Sequence, residues 1–172
     1  METTFILTLE NGMQLEIYGK KAPTLILSFL ISFAFAIFLV PILILCYLLH
    51  IGEGIPFAII LTWIIAWLVS GYLTKLYLWN KYGKEVFIVK DNLFRHYYDY
   101  HLFKDNHIMY QFKKIAIYVN KKGQMEKISP QKHIKNGESH IVAFKVDKQF
   151  VNSYNTLPMS IINQIALYYE DS

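Results

Sequence analysis

Four side chains that could do chemistry recur at every second position of one short stretch: Arg95, Tyr97, Asp99 and His101. On a strand, alternate residues share a face, so this spacing would set a cation, an aromatic ring and a titratable pair side by side, as a surface for a ligand or partner. A solvated strand face is the plainer account of the same pattern. His96 and His101 are five positions apart and so fall on opposite faces, which argues against a shared metal ion. Glu10, Asp99, His101 and Asp105 offer acid and base groups, but nothing in the sequence brings them together. There is no Gly-rich phosphate loop, no His-Glu-x-x-His zinc motif and no serine nucleophile elbow, so neither catalysis nor a cofactor is expected. The single cysteine, Cys46, lies in an apolar run and excludes both an intramolecular disulfide and a Cys-rich metal site.

Charge narrows the partners further. The net charge is +4, yet Arg95 is the one guanidinium among 17 basic residues, which limits bidentate phosphate recognition. The 13 tyrosines interleaved with lysines would suit base stacking with phosphate neutralisation, making a nucleotide or oligonucleotide a candidate ligand. Tyrosine is also a good strand former, and burial in a sheet explains the same pattern without a ligand.

The elements that must position these residues begin with two apolar runs. No charged residue occurs from Thr24 to Leu49, nor from Ile55 to Thr74. A bilayer core of about 30 Å takes roughly 20 helical residues, so both runs are long enough to span. The connector His50-Ile51-Gly52-Glu53-Gly54 makes them an antiparallel hairpin, with helices expected over 22–50 and 55–79. The first run is too long for a signal peptide and lacks a small-residue cleavage site. Lys20 and Lys21 precede it, Lys75, Lys81 and Lys84 follow or flank the end of the second, and the connector has neither Lys nor Arg. Positive charge is retained on the cytoplasmic side, so both termini are expected there, with Trp79 in an aromatic belt. The spans carry no ionisable residue, which disfavours proton-coupled transport. Trp63, Trp67, Ser70 and Gly71 are candidates for helix packing, an oligomer interface or a pore lining. Pro41 should kink the first helix.

Around these runs the pattern is β. Asn11-Gly12 could close a two-residue hairpin, but that register mixes apolar and polar faces. A three-residue loop Glu10-Asn11-Gly12 instead pairs Phe5, Leu7 and Leu9 with Ile17, Leu15 and Met13. Strands are expected over 85–89, 93–103 and 107–119, with the repeated triplets Lys90-Asp91-Asn92 and Lys104-Asp105-Asn106 as turns and a bulge or corner at Lys113-Lys114. Phe94, His96, Tyr98, Tyr100 and Leu102 make the expected core face. Residues 120–139 read as a long loop or weak hairpin, and 140–148 as a return strand. Thr156 and Pro158 would start a C-terminal helix with Met159, Ile162, Ile165, Ala166 and Tyr169 as its stripe. An isolated two-stranded hairpin is marginal, so 1–21 should join 84–172 as one β domain into which the membrane hairpin is inserted.

This order of strand hairpin, two spans, meander with the stretch Tyr110 to Val119, return strand and closing helix resembles bacterial membrane proteins with a pleckstrin-homology-like cytoplasmic domain, the YcxB-like proteins in particular. The resemblance implies a PH-like antiparallel sheet or partial barrel closed by a C-terminal helix, and supplies no catalytic motif. The functional expectation is a non-enzymatic, multi-pass protein of the bacterial inner membrane whose cytosolic domain binds a protein or small ligand. Two other classes fit the same layout: a homo-oligomeric pore-forming effector of anti-phage or toxin type, gated by ligand, and an immunity protein.

Overall fold

A computed structural model describes residues 4–8, 12–121, 124–128 and 139–170. The chain divides into two compact units, a helical unit over Lys21–Tyr82 and a β unit formed by Met1–Lys20 with Gly83–Ser172.

The helical unit holds α1 (Thr24–His50) and α2 (Phe57–Tyr82). Both are long and apolar enough to cross a membrane. Helix α1 starts as Leu27 N donates to Pro23 O, and ends at Ile51 with Gly52 in the left-handed region at φ 76°. It runs unbroken through Pro41. The helices meet where small residues allow close approach: Ser70 Oγ donates to the Ala34 carbonyl at 2.8 Å, with both residues buried. The observed starts lie two residues later than the expected 22 and 55, and α2 continues to Tyr82 rather than stopping at 79.

The β unit contains two antiparallel sheets. The first orders β1 (Thr4–Thr8), β2 (Met13–Tyr18), β3 (Lys84–Lys90), β4 (Leu93–Asp99) and β5 (Lys104–Gln111) side by side. The second orders β7 (Gln124–Lys127), β6 (Ile115–Lys121), β8 (Ser139–Val146) and β9 (Gln149–Pro158). Helix α3 (Met159–Glu170) follows. No ladder joins the two sheets among the described residues, so they form no closed barrel.

Hairpin register follows the apolar pairing. Phe5 is opposite Ile17 and Leu7 opposite Leu15, the pairing of the longer loop; Leu9, Glu10 and Asn11 lie outside the described residues. Gly12 has φ 124°, and a Cβ there would stand 2.7 Å from the Val89 carbonyl oxygen, so only glycine fits. Strand β2 then pairs with β3 from Met13↔Val89 to Tyr18↔Lys84, across the whole helical insertion. The two Lys-Asp-Asn triplets part ways. Asp91 and Asn92 both have positive φ and form the two-residue turn between β3 and β4. The second triplet opens β5 instead, and Asn106 at φ 52° sits in a bulge where Asn106 and His107 oppose Tyr97. Asparagine tolerates the left-handed region in either setting, so the triplet specifies a local conformation and not a turn.

At Lys113-Lys114 the chain turns a corner from the first sheet to the second. The Asp147 carboxylate accepts from the backbone N–H groups of Lys113 and Lys114, fixing that corner. Strand β9 replaces the helix start expected at Thr156 and Pro158; both end a strand, with Pro158 opposite Ser139 at a sheet edge, where a missing N–H breaks no ladder. Of segment 120–139, β6 and β7 supply a hairpin, while 129–138 lie outside the described residues.

The core lies between the sheets. Met13, Leu15, Ile17, Phe87, Val89 and Phe94 face Val142, Phe144, Val146, Val151 and Leu157. The Phe144 ring stands 4.9 Å from Phe87 and 5.7 Å from Phe94. Met159, Ile162 and Ile165 of α3 are fully buried in this same core, with Tyr169 packed at its margin. Leu102 departs from the expected core face: β4 ends at Asp99 and Leu102 is exposed in the following turn.

Candidate functional site

The alternate set of β4 is only partly assembled. Arg95 is exposed between Ile88 and Met109 on the outer face of the first sheet. Tyr97 stacks flat on His107, with ring centroids 5.4 Å apart, and Lys104 Nζ lies 4.7 Å from the Tyr97 centroid. Asp99 closes the strand, and its carboxylate accepts from His101 N at 2.8 Å. His101 belongs to the turn, with φ 75°, so it leaves the face that strand spacing gave it. The surface brought together is Arg95, Tyr97, His107 and Lys104. His107 and Lys104 enter through the β5 bulge, which alternation in β4 alone could not reveal.

Next to it on the outer face stands a polar cluster centred on Glu16. Its carboxylate accepts from Lys84 Nζ and Tyr18 OH, both at 2.9 Å, and from Gln14 Nε2 at 3.1 Å. Partial burial pushes the Glu16 carboxyl up, but the three hydrogen bonds together hold it below its ordinary range. Burial and the bond to Glu16 raise the Tyr18 phenol. For Lys84, burial acts downward, and the Glu16 bond and charge overcome it and raise the ammonium.

On the inner face is a buried pair that parity could have exposed. Glu85 shares its face with Phe87 and Val89, so a carboxylate pointing into the core demands a partner, and His96 on the core face of β4 supplies it. Glu85 is 0% and His96 2% exposed, with Oε1 to Nε2 at 2.9 Å. Both Glu85 oxygens also accept from Tyr154 N, at 2.9 and 3.1 Å. That N–H turns inward because β9 is bulged: Ser153 to Asn155 oppose Val142, and Ser153 Oγ accepts from Val142 N while donating to Asn155 O. His96 lies on the Phe87 ring at 4.5 Å and edge-on to Tyr98. Its Nδ1 is buried without a hydrogen-bond partner among the described residues. Burial, and then the Glu85 charge, push the Tyr98 phenol up. A histidine oriented by a carboxylate resembles half of a catalytic relay, but at 2% exposure it is closed to substrate, and the arrangement locks the two sheets together.

One concave surface of the β unit lies at the sheet-switch corner. A groove of about 620 Å³ is lined by Tyr110, Gln111, Lys114, Val146, Asp147, Lys148 and Gln149. Asp147 accepts from the Lys113 and Lys114 backbone, and with Lys114 and Lys148 beside it the groove carries two cations to one acid. No group of three or more His, Cys, Asp or Glu side chains that could hold a metal occurs among the described residues.

In the helical unit, Trp63 and Trp67 stack at 5.7 Å, and Trp67 stacks on Phe38 of α1 at 6.1 Å. Ser70 is used inside the hairpin, whereas a side chain at Gly71 would meet open space. Of the lysines expected at a membrane surface, Lys20 and Lys21 are exposed, Lys84 is paired with Glu16, and Lys81 Nζ donates to Tyr77 OH at 2.8 Å. Lys75 and Trp79 are half-buried.

Compared with protein-family models, with curated proteins and with solved structures, the chain matches none.

Proposed function

We propose that this chain is a membrane-anchored binding protein of the bacterial inner membrane, with α1 and α2 spanning as an antiparallel pair and both termini in the cytoplasm. The observation that carries the reading is the β2–β3 ladder: strands before and after the helical segment pair over six residues, so both ends of that segment return to one β unit. Two spans meet this constraint, and one would not. The β unit, two antiparallel sheets with α3 packed into the core, supports a PH-like reading. It meets a soluble anionic ligand or protein partner at the Lys114–Lys148 groove and on the Arg95–Tyr97 face, without catalytic turnover.

Cysteine labelling tests the anchor. In a Cys46→Ser background, a membrane-impermeant maleimide should label Glu53→Cys in intact spheroplasts and Asn152→Cys only after lysis. The reverse pattern, or labelling of both in intact cells, overturns the reading. The competing pore-forming effector is tested by membrane potential. Expression of the full chain should leave the potential unchanged, because the Trp63–Trp67–Phe38 stack is engaged within the hairpin; depolarisation abolished by Trp63→Ala with Trp67→Ala would replace the binding reading with a pore.

A further inference from the structure

Strands of the first sheet alternate in direction, so one sheet end gathers Tyr18, Lys84, Asp99 and Lys104 in a single cross-strand row. From that end the chain runs through residues 19–23 into α1, and it returns from α2 through Gly83 alone. Five extended residues reach at most about 18 Å, so covalent reach ties this sheet end to whatever surface the helices enter. Tyr100–Phe103, between β4 and β5, is the turn of the first sheet at this end among the described residues; the Asp91-Asn92 turn and the Lys113-Lys114 corner lie at the other.

Beside the exposed His101, this turn presents two apolar side chains to its surroundings. Leu102 is 74% exposed, more than any other large aliphatic side chain described in the β unit, and Phe103 is 42% exposed. The tip is held in place: Phe103 stacks on Tyr100 at 4.7 Å, Tyr100 N donates to Phe103 O at 3.0 Å, and Asp99 binds His101 N. Lys84, paired with Glu16, and Lys104 flank Asp99 in the adjoining row, and Lys20 and Lys21 lie in the tether, so cations outnumber acids beside an apolar point. That combination is what the boundary between headgroups and acyl chains binds.

From this we infer that the Tyr100–Phe103 turn is a third membrane contact, inserting Leu102 and Phe103 into the cytoplasmic lipid surface. The inference rests on the spanning reading of α1 and α2, and it adds that the β unit is held against the bilayer at a point of its own. A lipid surface is favoured over a protein partner because the turn shares its sheet end with both connections to the helices.

The test uses the full chain in nanodiscs of anionic phospholipid, with and without brominated acyl chains. An environment-sensitive fluorophore is placed at Leu102→Cys in a Cys46→Ser background, with a reference label at Lys90→Cys at the far sheet end. All 3 tryptophans, Trp63, Trp67 and Trp79, lie in α2 and report independently on the helices. Tryptophan emission and the label at 102 should both fall about twofold in brominated discs, while the label at 90 is unchanged. Quenched tryptophans with the label at 102 behaving like the label at 90 would overturn this inference alone, and would leave the turn to a soluble partner. Unquenched tryptophans would overturn the spanning reading and this inference with it.

Discussion

Glu16 and Glu85 occupy neighbouring strands one position out of step, so their side chains leave opposite faces of the same sheet. Each side chain meets a nitrogen at 2.9 Å, Lys84 Nζ for one and His96 Nε2 for the other. Glu16 draws its partners from side chains on the outer face of the first sheet, with water at its margin. Glu85 has no exposed surface and takes a backbone N–H from β9, in the opposite sheet. The difference teaches what burial does to one kind of contact. The outer pair tunes charges already solvated, whereas the inner pair fixes how two sheets register, because an unmet carboxylate in the core is far costlier than one in water.

Removing one inner partner should have the largest effect. Glu85→Ala should destabilise the full chain in detergent by about 3 kcal/mol, read by chemical denaturation, since it strands His96 and Tyr154 N together. His96→Phe should act similarly, whereas Glu85→Leu with His96→Phe should recover much of the loss, because an apolar pair needs no partner. A double variant as unstable as the sum of the singles would deny that the pair acts as a unit. Ser153→Ala, which frees the buried Val142 N–H and loosens the bulge, should cost about 1–2 kcal/mol. On the outer face, Lys84→Met should cost only about 0.5 kcal/mol.

The outer pair also has a pH window. A carboxyl held below its ordinary value of 4.5 contributes stability above that value and loses it as pH falls through the folded value. An ammonium raised above 10.5 contributes below that value and loses it as pH rises through the folded one. The difference in stability between the parent and Lys84→Met should therefore be flat between these limits and shrink outside both. The smallest effect concerns Tyr98. Glu85→Gln should let its phenol titrate nearer its ordinary value, observed by NMR on ring-labelled tyrosine.

Parity carried the sequence reading a long way in the first sheet. Alternation placed Phe94 and His96 inside and chose the β1–β2 register over a shorter loop, and the marginal stability of a lone hairpin pointed to its union with the strands after the helices. It failed where a single residue resets phase. The Asn106 bulge brought His107 and Lys104 to Tyr97, and the end of β4 at Asp99 removed His101 and Leu102 from the faces their numbers implied. Strand β9 was hidden for a related reason: the Ser153–Asn155 bulge interrupts its alternation, and Thr156 with Pro158 mimics a helix start. Glu85 is legible in the sequence, because an acid in phase with Phe87 and Val89 points inward.

Inserting α1 and α2 between β2 and β3 also sets a timetable for synthesis. At roughly 5–20 residues per second, β3 leaves the ribosome several seconds after β2, with roughly sixty residues between them. Through that interval Met13, Leu15 and Ile17 have only a five-residue neighbour in β1 and no sheet to enter. The nascent chain must therefore protect a waiting edge until α1 and α2 have been synthesised, which couples folding of the β unit to completion of the helical segment. A chain halted within the helical segment would present that unpaired strand to its neighbours as an aggregation-prone half-sheet.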